Sequence, residues 1–221
     1  MYQLLNKDLF EVEVPKCRLL LTDIPYGKVS REDAGLRNLD KSNADIINFE
    51  ISDFLEHVWG SADIFVIFCG NEQYSEIYDW FNEKSSKKLG TTRQLIWSKT
   101  NPSPMNSEYV LMNATENAVW FKKRGTGKLP RHYIHNVYEA PTGSSKYHPT
   151  EKNHKLLEQI ILDNTVAGDL IVDSCMGSGS TGLMALKNDR EFVGIEIHKP
   201  YFEIAEERIG EIYHTQQNLN I

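Results

Sequence analysis

The stretch from Asp169 to Ile197 constrains this chain more than any other. It opens on an apolar, β-rich run, DLIVD (169–173), and continues through Ser174, Cys175, Met176, Gly177, Ser178, Gly179, Ser180, Thr181 and Gly182. It closes on EFVGIEI (191–197). The pattern predicts a strand over Asp169–Asp173, a helix over Thr181–Asn188 and a second strand over Glu191–Ile197. A Gly177-x-Gly179-x-x-Gly182 turn between strand and helix suits a nucleoside-bearing ligand, because glycines turn the chain tightly and let its backbone approach the ligand. Glu196 follows Gly177 by 19 residues, at the end of the next strand, where a carboxylate accepts both hydroxyls of a ribose. Asp173 is placed to meet the ligand or to organise the loop; a helix N-cap is the plain alternative.

A dinucleotide site needs a second nucleotide-binding half, and only 25 residues follow Glu196. S-adenosylmethionine, with one nucleoside and no pyrophosphate, fits better. The rest of the sheet must then come from the N-terminal half. Lys16–Thr22 and Asp63–Cys69 predict strands, the second buried on both faces as in a parallel sheet under helices. Thr92–Ser98 and the apolar part of Tyr109–Phe121 predict two more. Helical spacing appears over Ile46–Trp59, with Asn48 or Ser52 as a cap, and over Gln73–Phe81, Lys152–Asn164 and Tyr201–Tyr213. Lys28–Ser42 reads as a loop, Thr215–Ile221 as a frayed end, and Lys122–Tyr147 as a loop-rich insertion rather than a sheet layer. Strands alternating with helices predict an α/β fold, a doubly wound, mostly parallel sheet in one domain.

Three widely spaced cysteines without a CxxC pair predict free thiols and no zinc site, and the histidines show no metal-ligand spacing. The longest apolar run, Ile64–Cys69, is too short to span a bilayer, and Met1–Asp8 lacks an export pattern, which predicts a cytoplasmic protein. The net charge of −7 is unevenly spread. Glu32–Glu83 holds 12 acidic and 2 basic residues, whereas Lys84–Arg131 holds 10 basic and 2 acidic. The basic block is the candidate surface for phosphates, with chance clustering on a solvated face as the alternative.

Near the start stands Leu21-Thr22-Asp23-Ile24-Pro25-Tyr26-Gly27. Such a turn can hold a flat base and its amino group. An exocyclic amine has its lone pair delocalised into the ring, so an acceptor must hold the N–H and turn the lone pair toward the incoming group. Asp23 supplies a carboxylate, the Ile24 carbonyl a second acceptor, and Tyr26 a ring to clamp the base. Pro25 fixes its own φ and drives Ile24 to extended geometry. Taken alone, the heptapeptide also reads as an ordinary turn at a strand end.

Together these segments resemble the β group of amino-methylating DNA methyltransferases, which make N6-methyladenine or N4-methylcytosine. Asp23-Ile24-Pro25-Tyr26 is similar to that family's Asp-Pro-Pro-Tyr motif, and Asp173 to Gly182 to its cofactor loop. Lys146 to Lys152 (KYHPTEK) resembles its His-Pro-Thr-x-Lys segment, and Phe192 to Glu203 its ribose-binding strand. Weaker matches are Ile96 to Lys99 and Glu116 to Lys122.

The resemblance implies a Rossmann-like S-adenosylmethionine-dependent methyltransferase fold with a short target-recognition insertion. The catalytic half spans about 1–121, the insertion about 122–147 and the cofactor half about 148–214. Asp23, Ile24, Pro25 and Tyr26 are the implied catalytic residues. Asp23, His148, Thr150, Lys152, Asp173, Ser174, Cys175, Gly177, Ser178, Gly179, Glu196 and Ile197 are implied for the cofactor. Lys122, Lys123, Arg124, Lys128 and Arg131 are implied for double-stranded DNA. Asp at the head of the motif points to adenine N6, with cytosine N4 as the alternative and an RNA or protein amide substrate, or a non-catalytic DNA-binding homologue, beyond it. A homodimer is compatible with so short an insertion; neither metal nor membrane is expected. Ile24 in place of a proline frees one φ and predicts a looser catalytic turn. Ser174 and Cys175 in place of Pro-Phe predict a lost aromatic contact to the cofactor.

Overall fold

The computed structural model describes residues 1–26, 49–104, 107–143 and 151–219. The expected loop over Lys28–Ser42, the first residues of the helix expected from Ile46, and the site residues His148 and Thr150 lie outside them.

Among the described residues, eight strands form one sheet: β1 (Tyr2–Leu5), β2 (Cys17–Asp23), β3 (Ala62–Cys69), β4 (Gly90–Lys99), β5 (Thr115–Lys123), β6 (Val137–Ala140), β7 (Leu170–Asp173) and β8 (Glu191–Ile195). Their order is β1-β8-β7-β2-β3-β5-β4-β6, and only β5 runs against its neighbours. Five α-helices among the described residues cover the sheet: α1 (Ile51–Trp59), α2 (Asn71–Ser86), α3 (His154–Asn164), α4 (Ser180–Lys187) and α5 (Lys199–Leu219).

The period-2 alternation of β3 shows why the sheet is covered on both sides. Ile64, Val66 and Phe68 enter one core with residues of α3, α4 and α5. Phe65, Ile67 and Cys69 enter the other with Phe54, Leu55, Ile77 and Phe81 of α1 and α2. Each fully buried side chain of this size contributes about 1.5–3 kcal/mol relative to exposure. Around Phe81, Trp59, Phe65 and Phe121 pack ring on ring, with Phe81 and Phe121 stacked at 4.9 Å.

The structure revises several expectations. Val137–Ala140, expected within a loop-rich insertion, is a strand pairing in parallel with β4 from Ile96↔Val137 to Lys99↔Ala140. Its Tyr138 and Ala140 alternate into the core, a two-residue signal too short to stand out in the sequence. Lys122 and Lys123 belong to β5, not to the insertion. Ser52 lies inside α1 rather than capping it: Glu50 holds the cap position and makes no side-chain capping bond, and Asn48 lies outside the described residues. The expected frayed end is helical through Leu219. β1 was not expected at all; it forms the sheet edge beside β8.

From β7 the chain proceeds to β8 on one side, and from β2 to β3 on the other. The carboxyl ends of β2 and β7 therefore flank a topological switch point, where α/β sheets open a crevice for ligands. Asp23 ends one of these strands and Asp173 the other.

Candidate active site

One pocket at this switch point is lined by Asp23, Ile24, Pro25 and Tyr26 on one side. Asp173, Ser174, Cys175, Met176, Gly177, Ser178, Glu196 and Ile197 line the other. The two motifs, some 150 residues apart in sequence, thus face each other across a single cavity.

On the nucleoside side, Glu196 follows β8 and spans the glycine turn. Its Oε2 accepts from the Gly177 N–H at 2.9 Å and its Oε1 from the His198 N–H at 2.7 Å. Burial pushes its carboxyl above the usual range, and these two donors pull it back. Gly177 adopts φ of +51° with open space where a side chain would begin, so its backbone faces the cavity bare. Gly179 plays a different part: it does not line the pocket, and a Cβ there would come within 3.0 Å of Ala205 and Ile209 on α5. Ile197, 57% exposed, offers an apolar surface beside Glu196.

Asp173 organises the loop rather than capping a helix. Its Oδ1 accepts from the Thr22 hydroxyl at 2.9 Å and from the Cys175 N–H at 3.1 Å. Burial raises its carboxyl to about 6, against the pull of the Thr181, Cys175 and Thr22 donors. Ser174, expected as a loss, has a structural use: its hydroxyl donates to Thr22 Oγ1 at 3.1 Å.

The Asp23–Tyr26 turn is held by packing and hydrogen bonds, which departs from the expectation of a looser turn. Ile24 is 1% exposed, packed in the core under α1, and its N–H donates to the Phe68 carbonyl at 3.2 Å. The freedom that a proline would remove is removed here by packing and by one more rung on the β2–β3 ladder. The Pro25 carbonyl accepts from Gln73 Nε2 at 2.8 Å.

Asp23 sits in a network the sequence did not reveal. Tyr26 donates its hydroxyl to Asp23 Oδ1 at 2.8 Å, and Lys152 Nζ lies 2.5 Å from Oδ2. Lys152 also reaches Glu116 Oε2 at 3.1 Å, and Glu116 Oε1 pairs with Lys99 at 2.9 Å. Burial pushes the Asp23 carboxyl up while Lys152 opposes it. Asp23, Tyr26 and Glu116 together hold Lys152 well above the usual lysine range despite its burial. Burial pushes Glu116 up too, yet Lys152 and Lys99 outweigh it and hold the carboxyl low. Glu116 and Lys99 were legible only as members of a weak mid-chain block. Lys7, Asp8, Leu9 and Phe10, before β2, also line the cavity, a role for which the sequence carries no signal.

The basic residues are not brought to this pocket. Asp23, Phe68 and Ala118 stand abreast across the sheet, whereas Lys122 stands abreast of Ile64. That places it four residues, about 13 Å, toward the opposite edge. Lys122 Nζ donates to Thr126 Oγ1, and Lys123 donates to the Trp59 carbonyl while lying over its ring. Arg131 pairs with Asp163 at 3.2 Å. Arg124 and Lys128 are exposed.

All three cysteines are free, and burial pushes the Cys17 and Cys69 thiols up to about 12 and that of Cys175 further. Burial therefore favours the protonated thiol at each of the three. Among the described residues no cluster of three metal-binding side chains occurs, and no helix is long and apolar enough to cross a membrane.

Comparison with known proteins matches the model of the N6/N4 DNA methylases to residues 17–207. The Type II methyltransferase M2.DpnII of Streptococcus pneumoniae is 36% identical over 134 residues, 52% of this chain and 49% of that protein. M2.LlaDCHI of Lactococcus lactis subsp. cremoris is 34% identical over 135 residues, with the same coverage. The match thus spans about half the length of these curated relatives. Among solved structures, the M1.HpyAVI–SAM complex superposes with a TM-score of 0.73 at 27% identity, covering 94% of this chain and 100% of that one. The cytosine-N4-specific PvuII DNA methyltransferase, at 18% identity and a TM-score of 0.67, covers 96% of this chain and 91% of its own and shares the fold.

Proposed function

Because the chain belongs to the N6/N4 DNA methylase family, we propose that it methylates the exocyclic N6 amine of adenine in duplex DNA, with S-adenosylmethionine as methyl donor. The observation that carries this reading is the single pocket lined by the Asp23–Tyr26 turn and by the Gly177 loop with Glu196.

The residues present suit the donor. The bare backbone at Gly177 leaves room for a nucleoside, the second lone pairs of the Glu196 oxygens remain for a ribose diol, and Ile197 offers an apolar face for a purine. When bound, S-adenosylmethionine supplies a methyl group on an electron-poor sulfonium. Asp23 holds the amine N–H and so directs the nitrogen lone pair across the pocket. As the amine gains a bond to carbon it loses a proton, and Asp23 is the carboxylate positioned to receive it. The high thiol pKa values support direct transfer without a covalent enzyme intermediate. A base inside a duplex cannot reach a pocket at the ends of β2 and β7, so the target base must be flipped out. Asp at the head of the motif favours adenine over cytosine within the family resemblance. For the DNA backbone we assign Arg124 and Lys128, whose charges point to solvent, ahead of Lys122, Lys123 and Arg131, which are engaged within the protein.

The test is methyl transfer from labelled S-adenosylmethionine to unmethylated duplex DNA, followed by nucleoside analysis. N6-methyladenine is expected. N4-methylcytosine would keep the mechanism and change the base, and absence of transfer with the cofactor still bound would overturn DNA as substrate.

A further inference from the structure

We propose that Lys152 and Glu116 are positioning residues that set the orientation and ionisation of Asp23, and that Lys152 does this in place of binding the cofactor. The inference rests on Asp23 being the amine-holding group.

The geometry is a chain of alternating charge: Asp23 Oδ2, Lys152 Nζ at 2.5 Å, Glu116 Oε2 at 3.1 Å from that ammonium, and Lys99 Nζ at 2.9 Å from Glu116 Oε1. Four elements meet in it: the end of β2, the residue two before α3, the start of β5 and the end of β4. Lys152 is 7% exposed, and a buried ammonium requires partners. It has three N–H donors and meets three acceptors, Asp23, Glu116 and the Tyr26 oxygen at 2.8 Å. Its hydrogen-bonding capacity is therefore used inside the catalytic turn.

Each contact has a consequence for Asp23. The Tyr26 hydroxyl on Oδ1 and Lys152 on Oδ2 fix the plane of the carboxylate, and each oxygen keeps a lone pair for an amine N–H. Lys152 opposes the protonation of Asp23 that burial favours. Unshared, that ammonium would draw charge from Asp23 and weaken it as an acceptor. Glu116 shares it, and Lys99 balances Glu116, so the four charges cancel. The other titratable groups facing Asp23 are Asp173 on β7 and Cys69 on β3, which act on it from the neighbouring strands.

The experiment follows the Asp23 side-chain carboxyl by carbon NMR titration of the ligand-free protein, the resonance being assigned by its loss in Asp23→Asn. Circular dichroism checks folding, and calorimetry measures S-adenosylmethionine binding. Lys152→Met is expected to move the Asp23 midpoint up by about 1–3 pH units, and Glu116→Gln to move it down by about 1. Cofactor affinity should stay within about threefold of wild type, a change below 1 kcal/mol. Midpoints that stay in place or move together, or a tenfold loss of cofactor affinity in Lys152→Met, would overturn the proposal. If Lys152→Met does not fold, the near-isosteric Glu116→Gln decides alone by the direction of its shift. None of these readouts needs methyl transfer, so a failure of the methyltransferase reading would be seen separately, as wild-type protein that modifies no DNA.

Discussion

The Thr22 hydroxyl donates to Oδ1 of Asp173 across 2.9 Å, joining the residue before Asp23 to the last residue of β7. Ser174 extends the link by donating to Thr22 Oγ1. This buried chain ties the Asp23–Tyr26 turn to the loop that follows β7 at the level of the pocket.

Asp173 contributes a pH dependence with a definite sign. Burial raises its folded-state carboxyl from the usual aspartate value of 3.8 to about 6, so the folded state favours the protonated form. The stabilisation is full below about pH 4 and is lost as pH rises through 6. Relative to Asp173→Asn, wild type should lose about 2 kcal/mol between pH 4 and pH 7, most of the shift at 1.36 kcal/mol per pH unit. Urea unfolding of both proteins across that range would show it, and parallel curves would remove Asp173 as the cause.

Asp23→Ala should lower methyl transfer by at least about 100-fold, the scale of losing a positioned acceptor or base. S-adenosylmethionine binding, measured by calorimetry, should change little. Unchanged turnover would remove Asp23 from the chemistry.

Glu196→Ala leaves the Gly177 and His198 N–H groups without their carboxylate and removes the proposed acceptor for the ribose. Charged hydrogen bonds contribute about 1.5–3 kcal/mol each. Cofactor affinity should fall by about 10- to 100-fold, while the reaction at saturating cofactor is less affected. Wild-type affinity in this variant would place the ribose elsewhere.

Gly182 is a packing glycine. A Cβ there would stand 2.6 Å from Ile209 and from Phe192, wedged between α4, α5 and β8. Gly182→Ala should cost about 1–3 kcal/mol by overpacking, read as a lowered Tm. A Tm equal to wild type would show that the ring and methyl can withdraw.

Lys123 serves the scaffold. Its ammonium binds the Trp59 carbonyl and lies 4.4 Å from the centre of its ring. Lys123→Met should cost about 1 kcal/mol and leave the salt dependence of DNA binding unchanged. Arg124→Ala with Lys128→Ala should instead flatten the slope of log K against log salt by about 2, near one per phosphate contact. A flattened slope in Lys123→Met would return it to the DNA surface.

The sequence by itself determined the local elements and the two motifs. Runs such as DIFVIFC and DLIVD could only be buried strands, and the glycine turn with its acid 19 residues on needed no neighbour to be recognised. The tertiary structure decided which distant residues meet. Lys152 and Glu116 converge on Asp23 because β5 reverses beside β3 and α3 begins beside the β2 turn, and no local period records such a meeting. The firmness of Ile24 arises in the same way, from the core under α1 and the Phe68 carbonyl. A run of basic residues could be counted in the sequence, but its place could not: the antiparallel course of β5 carries Lys122 and Lys123 away from the Asp23–Lys152 pair that Glu116, six residues before Lys122, joins.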